Sequence, residues 1–318
     1  MNASNYSECG ESTADFQFYL FPITYCLVMV LGLPGNLGAL YVYVFKMKEK
    51  SSSSAYIISL AVADTVFLCV LPFRVHYHLN GNDWIFGEVA CRVMGTIFFS
   101  NVYISICFMT CVCVDRYLAT VKPHTYLRLR GTCCWAVATA GVWVVCGTTG
   151  LAFMLTLPVD TGVGLGSPRR CLESFATGEW ENSLAAYSGF SLVFGALVPC
   201  AIILVCYPLA ARRIARIRTA TARAALRTIY AILAITVLCF LPYHLVYLLH
   251  LLRRTQVIRD CHAADAIYDA RRVTMALVSL NSLLDPVLYY FATGHCKWSL
   301  RWLKPKGKRG IYTISDRF

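Results

Sequence analysis

Seven apolar stretches divide the chain, at approximately 18–45, 55–76, 89–121, 133–157, 184–210, 224–251 and 273–291, each closed at both ends by polar or charged residues. An α-helix of roughly 20 apolar residues crosses the hydrocarbon of a bilayer, so every stretch is long enough. The third, about 33 residues long, must tilt or project from the membrane. None shows the two-residue alternation of a membrane β-strand, and only a helix or a closed barrel satisfies its own backbone in lipid. The pattern predicts an all-α membrane protein. A seven-transmembrane helix bundle occupies 18–291, after a polar segment 1–17 and before a short amphipathic segment and tail at 292–318.

Composition agrees with this reading. Of 318 residues 58% are hydrophobic and 14% charged, against roughly 25% charged in soluble domains. Lys and Arg exceed Asp and Glu by 29 to 17, a formal charge of +12. In a soluble protein that excess would suggest nucleic acid; here its distribution explains it. Nineteen cations lie in the segments after the first, third, fifth and seventh stretches, among them Lys46, Lys122, Arg128, Arg212, Arg216 and Arg301. The amino-terminal segment has none. Cations collect on the cytoplasmic side, which sets the amino terminus outside and the carboxyl terminus inside, with no need for nucleic acid as a partner. The first fifteen residues are polar and show no secretory signal pattern, so the first span itself directs insertion. Two acceptor sequons, at Asn2 and Asn5, fall on the expected outside.

Of sixteen cysteines, twelve lie in or close to the spans and read as small apolar residues. The four expected outside, Cys9, Cys91, Cys171 and Cys261, allow three pairings. The expected pairing joins Cys91 to Cys171 and Cys9 to Cys261.

Polar groups inside a membrane are costly and mark function. The second span carries Leu60-Ala-Val-Ala-Asp64, and the third ends in Asp115-Arg116-Tyr117. The seventh contains Asn281-Ser282-Leu-Leu-Asp285-Pro286-Val-Leu-Tyr289. Asn36 lies in the first span and Trp143 in the fourth, while Pro199 and Pro242 interrupt the fifth and sixth. With Tyr207 and Cys239-Phe240-Leu241-Pro242, these residues resemble, in order along all seven spans, the rhodopsin-like (class A) G-protein-coupled receptors. Phe240 and Asp285 stand where many members carry tryptophan and asparagine. Both variants occur together in the branch of nucleotide, lysophospholipid, cysteinyl-leukotriene and protease-activated receptors.

The resemblance implies that Asp115 pairs with Arg116 at rest. It further implies that the sixth helix swings outward about Pro242, freeing Arg116 to meet Tyr207, Tyr289 and the tail of a Gα subunit. Tyr117, Phe240, Asp285 and Pro286 belong to the same activation machinery. No acid near Ala222 or Arg223 could tie Arg116 to the sixth helix. Asp64, Asn101, Ser105, Asn281, Ser282 and Asp285 match the family's central sodium pocket, where oxygen donors suit a hard cation. The alternative to an allosteric sodium ion is protonation of at least one of the two carboxyls by desolvation. Apart from that ion no cofactor is expected.

The residue at which amine receptors carry aspartate is Phe98. The outer half instead collects cations and histidines, and Arg74, inside the second span, is the most telling. A guanidinium is a bidentate fork for phosphate or carboxylate, and this one has no acid in its own span. Glu88, Glu173 and Asp265 are its candidate internal partners. The candidate ligand set is Arg74, His76, Phe99, Tyr103, Arg170, Tyr243, His244, Tyr247, Arg254, Arg271 and Arg272, with at most one of the last two facing inward. Details such as Leu71-Pro-Phe-Arg74 and Leu252-Arg-Arg254-Thr-Gln256 are similar to lysophosphatidic acid receptors of the fourth and sixth types. Nucleotide receptors of the branch usually carry cations where Tyr247 and Met275 stand here. The leading expectation is thus a plasma-membrane receptor for an anionic lipid, coupled to a heterotrimeric G protein and, after activation, to arrestin. A nucleotide or small carboxylate receptor is the alternative, and a proton sensor built on His76, His78, His244 and His262 is the third.

Non-receptor readings lack support. No internal repeat suggests a transporter, and Gly162-Val-Gly164-Leu-Gly166 is too short for a dinucleotide fingerprint. After Phe291, Trp298, Leu300, Trp302 and Leu303 alternate with Lys297, Arg301 and Lys304, a segment that resembles the family's eighth helix on the inner leaflet. Cys296 is a candidate for palmitoylation.

Overall fold

A computed structural model describes residues 14–47, 52–130, 133–156, 169–171, 185–216 and 220–292. Six helical stretches in it are long and apolar enough to cross a membrane: Gln17–Lys46, Ser53–Leu79, Gly87–Val121, Cys134–Leu155, Ala185–Ile214 and Leu226–Arg254. A seventh helix is formed by Cys261–Ser279 and Asn281–Ala292, interrupted at Leu280. It starts well before the expected 273, because Asp260 caps it by accepting from the Ala263 amide at 2.8 Å. The short helix Pro123–Arg130 connects the third and fourth spans.

The first span packs against the second and the seventh helix, and the third runs through the middle against the second, fourth, fifth and sixth. The second and third spans are accordingly mostly buried, while the fourth shows nearly all its surface. The main core gathers Leu60, Ile106, Phe108, Met109, Ile203, Ile232 and Phe240. Lipid is as apolar as these side chains, so close backbone approach supplies much of the cohesion. Gly35 and Gly195 mark two such approaches. A Cβ on Gly35 would lie 2.7 Å from the Pro286 ring, and one on Gly195 would collide with the Tyr103 ring.

Threonines inside the spans return their hydroxyls to the carbonyl four residues back, as Thr110 does to Ile106 at 2.7 Å and Thr236 to Ile232 at 2.8 Å. Pro199 of the fifth span and Pro242 of the sixth each sit just after a π-turn, Val193–Leu197 and Thr236–Phe240 respectively. A proline ring collides with the carbonyl four residues earlier. The i−5 bonds of Val198 to Val193 and of Leu241 to Thr236 absorb the disturbance by widening the turn. These are the points at which the two helices can bend.

Candidate functional site

The polar centre of the bundle draws on four spans. Asp64, Asn101, Ser105, Asn281, Ser282 and Asp285 are all buried. Ser282 Oγ donates to Asp64 Oδ1 at 2.7 Å, and Asn101 Nδ2 donates to Ser282 Oγ at 3.2 Å. The Tyr289 hydroxyl lies 3.3 Å from Asp64 Oδ2 and 3.2 Å from Asn36 Oδ1, while Asn36 Nδ2 donates to the Ser282 carbonyl at 2.8 Å. Asp64 is thus well supplied. Asp285 is not: it lies beside Asp64, wholly buried, and apart from that neighbouring carboxyl neither of its oxygens has a hydrogen-bond partner among the described residues. Ser105 Oγ and Asn101 Oδ1 also lack one. A buried unpaired polar atom costs about 1–3 kcal/mol, and a charged one more. The seventh helix is interrupted at Leu280, one residue before Asn281.

The second site lies toward the Cys91–Cys171 disulfide, whose Cα atoms are 5.7 Å apart. Beside the bridge, Arg169 is anchored on both faces: its amide donates to Asp83 Oδ1 and its carbonyl accepts from the Trp84 amide, each at 2.9 Å. Cys261 is also disulfide-bonded; Cys9, its expected partner, lies outside the described residues, as do Asn2, Asn5, Glu173, the Gly162–Gly166 loop and the amphipathic segment with Cys296.

Arg74 is 7% exposed, with its guanidinium carbon 5.7 Å above the Phe98 ring and its Nε without a hydrogen-bond partner. Glu88 does not neutralise it. That carboxylate belongs to Arg92, 2.7 Å away and one helical turn on. Phe98 is therefore the floor under the arginine.

Deeper in, His244 is buried with both ring nitrogens unpartnered, stacked 6.5 Å from Phe240 and lying 6.0 Å from Tyr103. Tyr243, whose buried hydroxyl is also unpartnered, stacks on Tyr247, and Tyr247 donates to Ser188 Oγ at 2.9 Å. These side chains form one aromatic and imidazole wall joining the third, fifth and sixth spans.

Other candidates lie elsewhere. His76 is held against Asn80 Nδ2 at 2.9 Å and edge-on to Phe86. Phe99 is packed between Phe98 and Phe153. Arg170 and Arg254 are half-buried and partnered. Arg271 and Arg272, of which only one was expected to turn inward, both meet helical neighbours. Arg271 Nη1 is 3.3 Å from His250 Nε2, and Arg272 donates to the Tyr268 hydroxyl at 2.6 Å while covering its ring. His250 and Ser188 were not singled out from sequence. The single signal for His250 is its polarity in an apolar run, six residues after His244.

At the opposite end the expected Asp115–Arg116 pair is not formed among the described residues. Asp115 accepts a short hydrogen bond from the Ser53 hydroxyl, and the buried Arg116 Nε has no partner. Adjacent residues on a helix diverge by roughly 100°, so Asp115 turns to the second span and Arg116 does not follow. Tyr207 meets Tyr230 of the sixth span edge-on, centroids 5.4 Å apart, and Tyr289 is engaged in the polar centre. Tyr117 packs with Tyr207 against Ala210, Ile214 and Ile229.

Seven helices, a disulfide tied to the third of them, a polar centre and an arginine at the far end define a heptahelical membrane receptor. Residues 35–289 match the family described as 7 transmembrane receptor (rhodopsin family), and the chain belongs to it. It is 31% identical over 304 residues to lysophosphatidic acid receptor 4 of Mus musculus, covering 92% of this chain and 81% of that one. It is 37% identical over 289 residues to purinoceptor 2 of Homo sapiens, covering 87% and 74%. To the uracil nucleotide/cysteinyl leukotriene receptor of Rattus norvegicus it is 34% identical over 288 residues, covering 90% and 83%. These matches place it in the purinergic and lysophosphatidic-acid branch of the class A G-protein-coupled receptors, multi-pass membrane receptors and not enzymes. Membership implies coupling to a G protein and a small ligand reaching it from outside the cell.

Proposed function

We propose that the chain is a plasma-membrane receptor for an extracellular anionic lipid, a lysophospholipid such as lysophosphatidic acid, and that it catalyses nucleotide exchange on a heterotrimeric G protein. The carrying observation is Arg74, buried over Phe98 with Nε unpaired and Glu88 committed elsewhere. A charge so placed is compensated by a ligand phosphate. Two features support a lipid over a nucleotide. Tyr247 and Met275 stand where nucleotide receptors of the branch usually have cations. Moreover, an apolar crevice runs between the third, fourth and fifth spans, lined by Tyr103, Cys146, Tyr187 and Phe190. Its lining includes Val145 and Phe194, 56% and 58% exposed on the lipid-facing surface, so it is open to hydrocarbon.

The amino terminus lies outside, and residues 18–291 form the receptor domain. Asp64, Asn101, Ser105, Asn281, Ser282 and Asp285 hold sodium in the resting state. In this reading agonist contact at Arg74, His244 and Tyr247 lets the sixth span bend at the π-turn before Pro242. Tyr207 then leaves Tyr230 for Arg116.

A nucleotide is the second reading, favoured by 36–37% identity to the purinoceptor 2 sequences against 31% for the lysophosphatidic acid receptors. Guanine-nucleotide exchange on a Gα panel, with the receptor in bilayer nanodiscs, separates the readings. Lysophosphatidic acid should stimulate exchange, while uracil nucleotides and acidification alone should not. Stimulation by nucleotide and not by lipid would overturn the proposal, and stimulation by acid alone would return the histidines to the lead.

A further inference from the structure

A second cavity, at the Arg116 end, lies outside the ligand site and the polar centre. It has a volume of about 380 Å³ and lies between the third, fourth and fifth spans, the start of the second and the connecting helix. Its walls are largely apolar, with Val114, Leu118, Ala138 and Ile202 along the sides and Tyr126 and Leu129 contributed by the connecting helix. Trp135 also lines it and is 41% exposed. In a membrane-spanning chain such a tryptophan marks the interface between headgroups and hydrocarbon.

The connecting helix is short and one-signed. From Lys122 to Arg130 it carries Lys122, His124, Arg128 and Arg130 and no acid. Lys122, His124 and Arg128 are exposed, and Arg128 directly precedes the lining residue Leu129 while Lys122 follows lining Leu118 by four positions. One acid lines the cavity: Asp115, 7% exposed and bonded to Ser53 at the inner wall. An apolar lining, a half-exposed tryptophan and a neighbouring run of cations are the complements of the acyl chain, the glycerol level and the phosphate of an anionic phospholipid.

We propose that this cavity takes one acyl chain of an anionic phospholipid from the leaflet at the Arg116 end, with the headgroup held by Lys122 and Arg128. Basic clefts between membrane helices bind anionic headgroups in this way. An eight-residue helix is marginal by itself in water. The lipid would fix the connecting helix directly after Asp115-Arg116-Tyr117, so leaflet composition would tune the segment that faces the G protein.

The test uses the full-length receptor in phosphatidylcholine nanodiscs doped with phosphatidylglycerol bearing a photoreactive diazirine in one acyl chain. The same diazirine chain on phosphatidylcholine is the control. After irradiation, labelled peptides are mapped. Phosphatidylglycerol should label residues 110–138 roughly 25-fold more than phosphatidylcholine, at about fivefold for each of the two cations. Lys122→Gln with Arg128→Gln, both exposed and harmless to folding, should bring the two lipids level. Ala138→Trp should reduce labelling by either lipid by filling the space. Equal labelling by both lipids in the unmodified receptor would overturn the proposal. So would labelling confined to other surfaces, or a preference that survives loss of both cations. The readout needs neither agonist nor G protein, so its outcome is independent of the lysophospholipid reading.

Discussion

The site near the disulfide and the site at the centre of the bundle are opposites in charge. The first holds a buried cation with an unpaired donor, Arg74 Nε, and the second holds a buried carboxyl whose oxygens find no donor, Asp285, beside the unpaired Asn101 Oδ1, Ser105 hydroxyl and Asn281 amide. They share two helices. Asp64 and Arg74 lie ten residues apart on the buried side of the second span, roughly 15 Å along its axis. Phe98, Asn101 and Ser105 follow at the spacing of one helical face on the third. In the proposed reading each site takes a visitor of opposite sign, an anion above and a cation or proton below, and the two helices they share would couple them.

The comparison breaks most sharply at Arg74. Arg74→Ala should weaken activation by lysophosphatidic acid by roughly 30-fold or more, the consequence of losing a buried charge pair worth about 2–5 kcal/mol. Arg74→Lys should recover only part of it. Dose–response curves for nucleotide exchange measure both, and an unshifted curve for the alanine variant would remove the donor site from the argument.

Smaller effects test the frame. Gly195→Ala drives a methyl into the Tyr103 ring and should cost about 1–3 kcal/mol, read as a fall in Tm of the detergent-solubilised receptor. At the centre, Asp285→Asn should abolish the difference in Tm between sodium and choline chloride. In the unmodified receptor sodium at ten times its Kd should contribute about 1.4 kcal/mol. Equal Tm in the two salts before mutation would leave protonation as the answer to the unpaired carboxyl. Weakest of all, Tyr230→Ala removes an exposed ring contact worth about 0.5–1.5 kcal/mol. Basal exchange should rise twofold to tenfold as Tyr207 is released; no rise would show that this contact does not restrain the sixth span.

Span number and the helical fold were legible because apolar runs of membrane length leave the backbone one economical solution. Asp64, Asn281 and Asp285 were legible one by one because uncompensated polarity in lipid is rare, while Ser105 and the grouping came from the family resemblance. Arg74 was legible in the same way as the three. The partner choices were not. Sequence could not show that Asp115 turns to Ser53 in place of its neighbour Arg116, or that Glu88 is taken by Arg92. Each depends on which way a side chain leaves its helix and on what another span presents there. The interruption at Leu280 was equally hidden, since Asn281 and Pro286 mark polarity and a kink but not where the hydrogen-bond ladder fails.

The amino-acid order by itself determined a membrane bundle, a family and a short list of charges that needed an explanation. Only the packed helices decided which of those charges remain unanswered, because satisfaction of a buried polar atom is a matter of distances across the bundle. A chain read in one dimension contains the groups but not the gaps between them.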